Sequence, residues 1–185
     1  SSMAFPVATT LKEEIPQVQA ATRFLWGGQG AEYKNKKLDI QVNLVDKDFF
    51  FFFSFPIVKG NQSNSLADLG SVVISEASAE KIFNKEDPIG KLIKVKVYGE
   101  WKEFLVSAVV KNFPKNSSIT YSILIRSELH PEYNEQKNNW NASSHDVYIK
   151  LTNDGTKELV EKECRNILKK YNATDSTYLI NSGFL

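Results

Sequence analysis

The chain has 185 residues, of which 42% are hydrophobic, 12% aromatic and 24% charged. This balance is typical of a soluble globular protein, and it excludes intrinsic disorder, a collagen-like fibre and a disulfide scaffold. The net charge is 23 − 22 = +1, and arginine occurs only at Arg23, Arg126 and Arg165. Because the chain has neither a basic field nor a supply of guanidinium groups for phosphates, we do not expect it to bind nucleic acid.

Metal and membrane signals are weak along the whole chain. The single cysteine, Cys164, cannot form an intramolecular disulfide, and His130 and His145 are too far apart in the sequence to suggest a Cys/His zinc site. No stretch reaches the roughly 18 apolar residues of a membrane span, and the first residues do not show the basic region followed by an apolar run that is typical of a signal peptide. Since Ser1 and Ser2 stand ahead of Met3, we expect a fragment of a longer protein or residues left by tag cleavage.

The first third of the chain predicts one short helix and two strands. Apolar residues with helical spacing predict a helix over residues 7–15, which ends at Pro16. Residues 18–26 and 38–45 predict strands, the second because apolar and polar side chains alternate along it. Residues 27–30, Gly-Gly-Gln-Gly, predict the hairpin turn between them, because glycine reaches positive φ without strain. A phosphate loop is not favoured, since no Gly-Lys-Ser/Thr follows.

Six phenylalanines lie between positions 49 and 55, after Asp46 and Asp48, either of which can cap a short turn of helix. This aromatic density is more than one face can bury. The favoured interpretation is a segment that lies between two packed layers and fills both. The alternative is a patch that faces a partner or the membrane.

The middle of the chain has the strongest local order. Residues 72–74 predict a buried strand, Ser75 an N-cap with Glu76 in the first turn, and residues 76–83 a helix with an apolar stripe. Residues 87–90, Asp-Pro-Ile-Gly, predict a turn. The alternating segment 92–98 and the segment 101–110 then predict a hairpin.

The last third predicts a strand over residues 119–126, a polar loop, a strand over 147–151 and a helix over 156–171. Cys164 lies in the apolar stripe of that helix. We therefore interpret it as a small core residue and not as a reactive thiol.

Catalytic motifs are scarce. Ser78 and Lys81 match the S-x-x-K pattern of serine acyltransferases, but the companion elements of that family are absent, and Lys81 is more simply a solvated helix residue. There is no G-x-S-x-G and no H-E-x-x-H. We therefore predict no catalytic residue, no cofactor and no metal site.

The order of several segments nevertheless resembles a known family. Residues 45–50, 56–60, 72–83, 87–91, 106–114 and 117–118 together are similar to the MacB-like periplasmic core domain of ABC transporter permeases, which belong with the FtsX-like permeases. The arginine that usually follows the glycine at the end of the first half is absent, because Asn61 stands there. We call the positions that carry the resemblance the signature positions, and we expect each to have a structural role. They are Phe49, Phe50, Gly60, Ser75, Glu76, Ala79, Phe83, Asp87, Pro88, Gly90 and Pro114.

The resemblance implies an α+β fold in two parts. A porter-like β-α-β layer is expected from both chain ends, residues 1–66 and 116–185, with a smaller α/β subdomain inserted over residues 67–115. The segmental pattern agrees with this, since residues 72–114 predict a strand, a helix and a hairpin in one self-contained run.

The resemblance also implies a function. The chain would be a non-catalytic domain on the periplasmic face of the bacterial inner membrane, held between transmembrane helices that lie outside it. Its expected partners are a cytoplasmic ATP-binding subunit or domain, reached through those helices, a second permease copy, and a periplasmic adaptor or cargo protein in export or efflux. The alternative is a stand-alone secreted or periplasmic binding module.

Overall fold

The structure is a computed structural model that describes residues 3–113, 117, 119–141 and 143–171. The described residues form two compact units. Unit 1 holds them up to Leu25 and from Glu132 onward, and unit 2 holds those from Trp26 to Pro131. Within these ranges, no helix has both the length and the apolar character that crossing a membrane requires.

Nine strands and five α-helices make up the described chain. In chain order they are β1 Met3–Ala4, α1 Pro6–Glu14, β2 Val18–Tyr33, β3 Lys36–Val45, α2 Phe49–Phe53, β4 Ile57–Gly60, β5 Ser71–Ser75, α3 Glu76–Phe83, β6 Leu92–Val97, β7 Glu100–Val110, β8 Ile123–Arg126, α4 Tyr133–Gln136, β9 Ser143–Leu151 and α5 Lys157–Lys170. Two short 3₁₀ helices, Gln62–Asn64 and Ser127–Leu129, are added to these.

Unit 1 packs α1 and α5 around a short sheet. Strand β9 lies between β1 and the first half of β2, and both pairings are antiparallel. Helix α1 begins at Pro6 and ends at Glu14, one residue before the predicted bounds at each end, and Thr156 caps α5 by accepting a hydrogen bond from the Leu159 N–H. The core of this unit is mainly aliphatic: Met3, Ala4, Val7, Leu11, Ile15, Val18, Val160, Cys164, Ile167 and Leu168.

Unit 2 is built on one larger sheet. Its strand order is β2-β3-β8-β5-β7-β4, and β6 pairs with both β2 and β7. The β3–β8 and β5–β7 pairs are parallel, whereas β5–β8, β4–β7 and β6–β7 are antiparallel. Strand β5 is buried at every residue, as a central strand covered on both faces must be.

The predicted turn at residues 27–30 is wrong. Strand β2 continues through these glycines to Tyr33, and the chain reverses at Lys34 and Asn35, which have φ values of 47° and 65°. Positive φ at both central residues is the type I′ geometry that suits a two-residue hairpin. Glycine is needed in the strand for another reason: a Cβ at Gly28 would lie 2.5 Å from the carbonyl oxygen of Lys96.

The segment 72–114 is also less independent than predicted. Its strand β5 pairs with β8, its strand β6 pairs with β2, and β4 adds to the outer side of β7. The two compact units divide the chain near residues 25 and 131. The porter-like layer with an insertion at 67–115 therefore stays a prediction, and the strand predicted over 119–126 is shorter, beginning at Ile123.

Candidate functional site

The start of α3 is fixed by a buried serine. The Ser75 hydroxyl oxygen accepts a hydrogen bond from the Ser78 N–H at 3.2 Å and donates one to the Ser78 hydroxyl at 3.0 Å. Both serines are 2% exposed. The N-cap predicted from the sequence is confirmed, and the cap lies inside the unit 2 core instead of on its surface.

A reciprocal pair of hydrogen bonds joins the same helix end to the segment after β7. The Asn112 N–H donates to Glu76 Oε2 at 3.1 Å, and the Ala77 N–H donates to Asn112 Oδ1 at 3.0 Å. Since an acceptor near a helix N-terminus satisfies amides that the helix itself cannot pair, Asn112 closes the first turn of α3. Glu76 and Asn112 thus connect α3 to β7 and to the chain that leads to Phe113.

The turn over residues 87–90 holds the entry to β6. The Asp87 carboxylate accepts a hydrogen bond from Lys59 Nζ at 3.1 Å, and this contact lowers the pKa of that carboxyl. Pro88 is buried, and Gly90, with φ of 76°, donates its N–H to the Val106 carbonyl oxygen at 2.9 Å. The turn therefore ties β6 and β7 together at their open end.

Gly60 ends β4 at a point of close backbone approach. Its φ is 86°, and a Cβ there would lie 2.3 Å from the Ser107 carbonyl oxygen and 2.9 Å from Ala108 Cα. A side chain at this position would clash with the backbone of β7, and displacing that backbone would be energetically costly. The glycine is therefore required by geometry, whether or not an arginine follows it.

The phenylalanine-rich segment divides between core and surface. Phe49 and Phe50 are 0% and 1% exposed, and Phe49 packs edge-on against Phe50 and Tyr121 at centroid distances of 5.5 and 6.5 Å. Burial raises the pKa of the Tyr121 hydroxyl. These two helix positions are core residues of unit 2.

The remaining rings of this segment reach outward. Phe51 is 55% exposed, and Phe52, Phe53 and Phe55 are half-buried in a chain of ring contacts with centroid distances of 4.5 and 5.4 Å. The favoured interpretation, that the segment fills two layers, holds for Phe49 and Phe50 and fails for Phe51. Helix α2 spans only five residues, so its rings point to every side.

Two further signature positions lie on α3, and one lies outside the described residues. Ala79 is half-buried, and Phe83 is 2% exposed with its ring 4.5 Å from that of Tyr33. Pro114 falls outside the described residues. Apart from Pro114, the structure places every signature residue in unit 2.

The S-x-x-K motif has no geometry for catalysis in the described structure. Ser78 is buried and its hydroxyl is engaged by Ser75, while Lys81 is exposed on the outer side of α3. Among the residues that the structure describes, no three His, Cys, Asp or Glu side chains come together as metal ligands would. Burial raises the pKa of Cys164, which is 3% exposed in the unit 1 core.

An exposed apolar surface on unit 2 escaped the sequence analysis. Leu92 and Leu105 are directly paired across β6 and β7, and they are 59% and 43% exposed. The Leu105 N–H donates to the Gly70 carbonyl oxygen at 2.8 Å, which brings Leu69, 46% exposed, to the same strand. We call Leu69, Leu92 and Leu105 the leucine surface. The sequence of β6 contained a sign of this surface, because Leu92 alternates in step with Lys94 and Lys96 and therefore lies on the same face of the strand as those lysines.

Comparisons with known proteins agree with this geometry. Residues 1–167 match the family described as the MacB-like periplasmic core domain. One relative, the macrolide export ATP-binding/permease protein MacB of Haemophilus ducreyi, is 35% identical over 81 residues. That match covers 42% of this chain and 12% of the relative, so the chain spans a small part of the relative's length.

Three solved structures share the fold. A domain of a Porphyromonas gingivalis protein aligns with a TM-score of 0.81 and 24% identity, over 96% of this chain and 81% of that one. The periplasmic region of MacB from Actinobacillus actinomycetemcomitans aligns at 0.68 and 16%, over 94% and 76%. The extracellular domain of the noncanonic ABC-type transporter YknZ from Gram-positive bacteria aligns at 0.69 and 17%, over 98% and 90%. The resemblance inferred from the signature segments is confirmed, and the chain belongs to the MacB-like periplasmic core domain family.

Proposed function

We propose that the chain is the extracytoplasmic domain of an ABC transporter permease, and that it transmits ATP-driven conformational change to a cargo or partner protein during export. The observation that carries this proposal is the family match over residues 1–167. ATP hydrolysis would take place in a cytoplasmic subunit or domain, and this domain would be coupled to it through transmembrane helices outside the chain.

The packing of unit 2 suits a body that moves as one piece. Strand β5 is hydrogen-bonded to β7 on one side and to β8 on the other, and Asn112 links the end of β7 to α3. A displacement applied to one of these elements must carry the others, because breaking any contact would leave buried backbone groups unpaired. Such cross-linked packing supports a transmitting role without a catalytic residue.

The leucine surface supports contact with another protein. Leu92 and Leu105 expose apolar area side by side on one face of the β6–β7 pair, and Leu69 is exposed in the segment next to them. Trp101, 39% exposed, lies on the same face of β7, beyond the pair Lys94 and Glu103. Exposed apolar surface bordered by polar residues is typical of protein interfaces. A periplasmic adaptor or cargo protein is the partner that the proposed role requires.

The proposed motion can be measured in the full-length permease reconstituted in lipid. A nitroxide label at Glu100→Cys, a residue whose side chain is 77% exposed, would report the distance between the labelled domains of two permease copies. We expect this distance to differ between the nucleotide-free and the ATP-bound, hydrolysis-arrested states. Within this chain the native Cys164 thiol should not take the label, because it is buried, and a permease without the Glu100→Cys change is the control for labelling elsewhere.

Two results would contradict the proposal. An unchanged distance in a permease that still hydrolyses ATP would separate this domain from the ATP cycle. A parent reading frame without apolar spans on either side of the chain would favour the alternative, a stand-alone binding module.

The non-catalytic part of the proposal has its own test. We expect no binding of ATP in a calorimetric titration of the chain, since nothing in it combines a glycine-rich loop with the lysine and hydroxyl that hold a triphosphate. We also expect no covalent adduct at Ser78 with a fluorophosphonate probe, because its hydroxyl is buried and bonded to Ser75. Mass spectrometry that found such an adduct would reverse the assignment.

A further inference from the structure

One polar side chain of unit 2 holds the segment that carries Leu69. We call residues 61–70, which connect β4 to β5, the strap; the 3₁₀ helix is their only regular structure. Arg126, the last residue of β8, donates from Nη1 to the carbonyl oxygens of Leu66 at 3.0 Å and Ala67 at 3.2 Å. Two successive carbonyls of the strap are thus bonded to one guanidinium nitrogen.

The other edge of the same guanidinium is held by an acidic partner. Arg126 Nε donates to Glu128 Oε2 at 2.9 Å, and Nη2 donates to Glu128 Oε1. The Arg126 side chain is 12% exposed and that of Glu128 is 28% exposed. Because the carboxylate orients the planar fork from one edge, Nη1 is directed at the strap. A lysine ammonium is a single point of charge and cannot span both sets of contacts.

Contacts with β7 fasten the strap on either side of this point. The Ser107 hydroxyl donates to the Ser65 carbonyl oxygen, and the Leu105 N–H donates to the Gly70 carbonyl oxygen at 2.8 Å. Leu66 is 2% exposed, so burial of an apolar side chain adds to these polar contacts. The strap is therefore an ordered segment that is bonded to both β7 and β8.

Leu69 is exposed on a backbone that is fixed on both sides. Its exposed fraction is 46%, yet Arg126 holds the Ala67 carbonyl before it, and the Gly70 N–H after it donates to Asp68 Oδ1 at 2.7 Å. An apolar side chain on an ordered segment loses less conformational freedom on binding than one on a mobile loop. The strap thus presents Leu69 in a position that is set before any partner arrives.

We infer that Arg126 is a positioning residue of the leucine surface: by holding the strap on the sheet, it keeps Leu69 at a fixed place next to Leu92 and Leu105. The use of this surface by a partner protein rests on the proposed function. The hold of Arg126 on the strap does not, and it can be tested in the chain alone.

The test follows single amides of β7 by hydrogen exchange. In Arg126→Lys the strap should open more often, so the Leu105 amide, which donates to the strap at Gly70, should exchange about tenfold faster. The Val106 amide is the internal control, because it donates to the Lys91 carbonyl oxygen and not to the strap. We expect its exchange rate to stay unchanged.

A matched variant changes an arginine of unit 1. Arg23 also donates to a backbone carbonyl oxygen, that of Phe5, at 2.9 Å. Arg23→Lys should leave both β7 amides, Leu105 and Val106, with the exchange rates of the parent chain. Faster exchange of the Leu105 amide in Arg23→Lys, to the same degree as in Arg126→Lys, would overturn the inference.

A second variant covers the case in which Arg126→Lys does not fold. Glu128→Gln removes the charge that orients the guanidinium, and we expect the Leu105 amide to exchange about threefold faster, with Val106 unchanged. An unchanged Leu105 amide in the variant that folds would show that Arg126 does not hold the strap. Equal acceleration of all unit 2 amides would show that it contributes only to overall stability, and either result overturns the inference. Neither bears on the distance measurement in the permease, so this failure and that of the proposed function are distinguishable.

Discussion

The two compact units are stabilised in different ways. The core cluster of unit 1 consists of aliphatic side chains and Cys164, supplied largely by the two amphipathic helices α1 and α5, and Phe5 adds a fully buried ring to this unit. Unit 2 buries rings at Phe49, Phe50 and Tyr121, and it depends on individual backbone positions such as Gly60. In unit 1, apolar side chains of similar volume should therefore replace one another, whereas in unit 2 specific contacts allow fewer substitutions.

The difference follows from what packs together in each unit. Most of the unit 1 core comes from the helical stripes of α1 and α5, which pack on a short sheet whose strands come from both ends of the chain, as in the pair Met3 and His145. Unit 2 is mainly a larger sheet, with pairs such as β3 with β8 and β4 with β7 in both parallel and antiparallel arrangements. Strand pairing brings backbone close to backbone, and the points of contact then demand particular residues.

The largest expected effect is the loss of a buried ring from unit 2. Phe83→Ala should lower the free energy of unfolding by about 3 to 5 kcal/mol, because it leaves a cavity next to Tyr33. Urea denaturation followed by circular dichroism measures this. Phe51→Ala, at a ring that is 55% exposed, is the matched control and should change stability by less than about 0.5 kcal/mol. Equal effects in the two variants would contradict the core assignment of Phe83.

Backbone approach at Gly60 should give the next largest effect. Gly60→Ala should cost about 3 kcal/mol, the sum of strain at positive φ and contact with the backbone of β7. Gly99→Ala is the control, because Gly99 has a similar φ of 91° with open space around it, and about 1 kcal/mol of strain is expected there. Thermal unfolding of both variants separates contact from strain. If Gly60→Ala lowers stability no more than Gly99→Ala does, the backbone of β7 moves to make room for the added Cβ.

The helix caps compare the units directly. Ser75→Ala removes the buried cap of α3 and leaves the Ser78 amide unpaired, so we expect a loss of about 2 kcal/mol. Thr156→Ala removes the exposed cap of α5 in unit 1 and should cost about 1 kcal/mol. Denaturant midpoints of the two variants measure the contrast. If Thr156→Ala lowered stability more than Ser75→Ala, the conclusion that unit 2 depends more than unit 1 on specific polar contacts would be wrong.

The smallest expected effect is on the stability of the fold at acid pH. Burial is the largest single influence and would raise the pKa of Glu128, but the hydrogen bonds from Arg126, Ser127 and its own backbone, together with the Arg126 charge, outweigh burial, and the pKa is lowered from the ordinary value of 4.5. A carboxyl with a lowered pKa in the folded state stabilises the fold above its ordinary pKa, and that contribution is lost as the pH falls through the lowered value. Glu128→Gln should therefore flatten the fall in melting temperature below pH 4.5.

Glu14 provides the control for this pH dependence. Hydrogen bonds from Lys170 and Tyr171 lower the pKa of its carboxyl, but the Lys170 side chain is 59% exposed, whereas that of Arg126 is 12% exposed. Because salt screens exposed ion pairs, Glu14→Gln should change the fall in melting temperature at low pH less than Glu128→Gln does in about 0.15 M salt. The reverse order would remove the distinction between the two ion pairs.

Local structure was largely predictable from the chain itself. The Ser75 cap, the stripe of α3 and the alternation of β6 depend on neighbours within a few residues, where spacing and side-chain chemistry suffice. The glycines at 27–30 misled the analysis for the same reason. Their local signal indicates a turn, whereas their role is to admit the Lys96 backbone from a distant strand.

The candidate site followed the same division. The signature positions were found from sequence, but their contacts were not: the Glu76–Asn112 pair joins residues 36 apart, and Asp87 meets Lys59 across 28. The leucine surface required knowing that Leu92 and Leu105 face one another on an open side of the sheet. Alternation assigns a residue to one face of a strand without showing what covers that face.

By itself, the sequence determined the helices, most strands and the family to which the chain belongs. Only the tertiary structure decided that β5 lies between β7 and β8, that Phe51 is exposed while Phe50 is buried, and that Tyr98 reaches Trp26. The physical reason is the distance along the chain over which each kind of interaction acts. Caps and periodicity act over one or two turns of chain, whereas strand order and burial are set by contacts between segments whose separation along the sequence leaves no local trace.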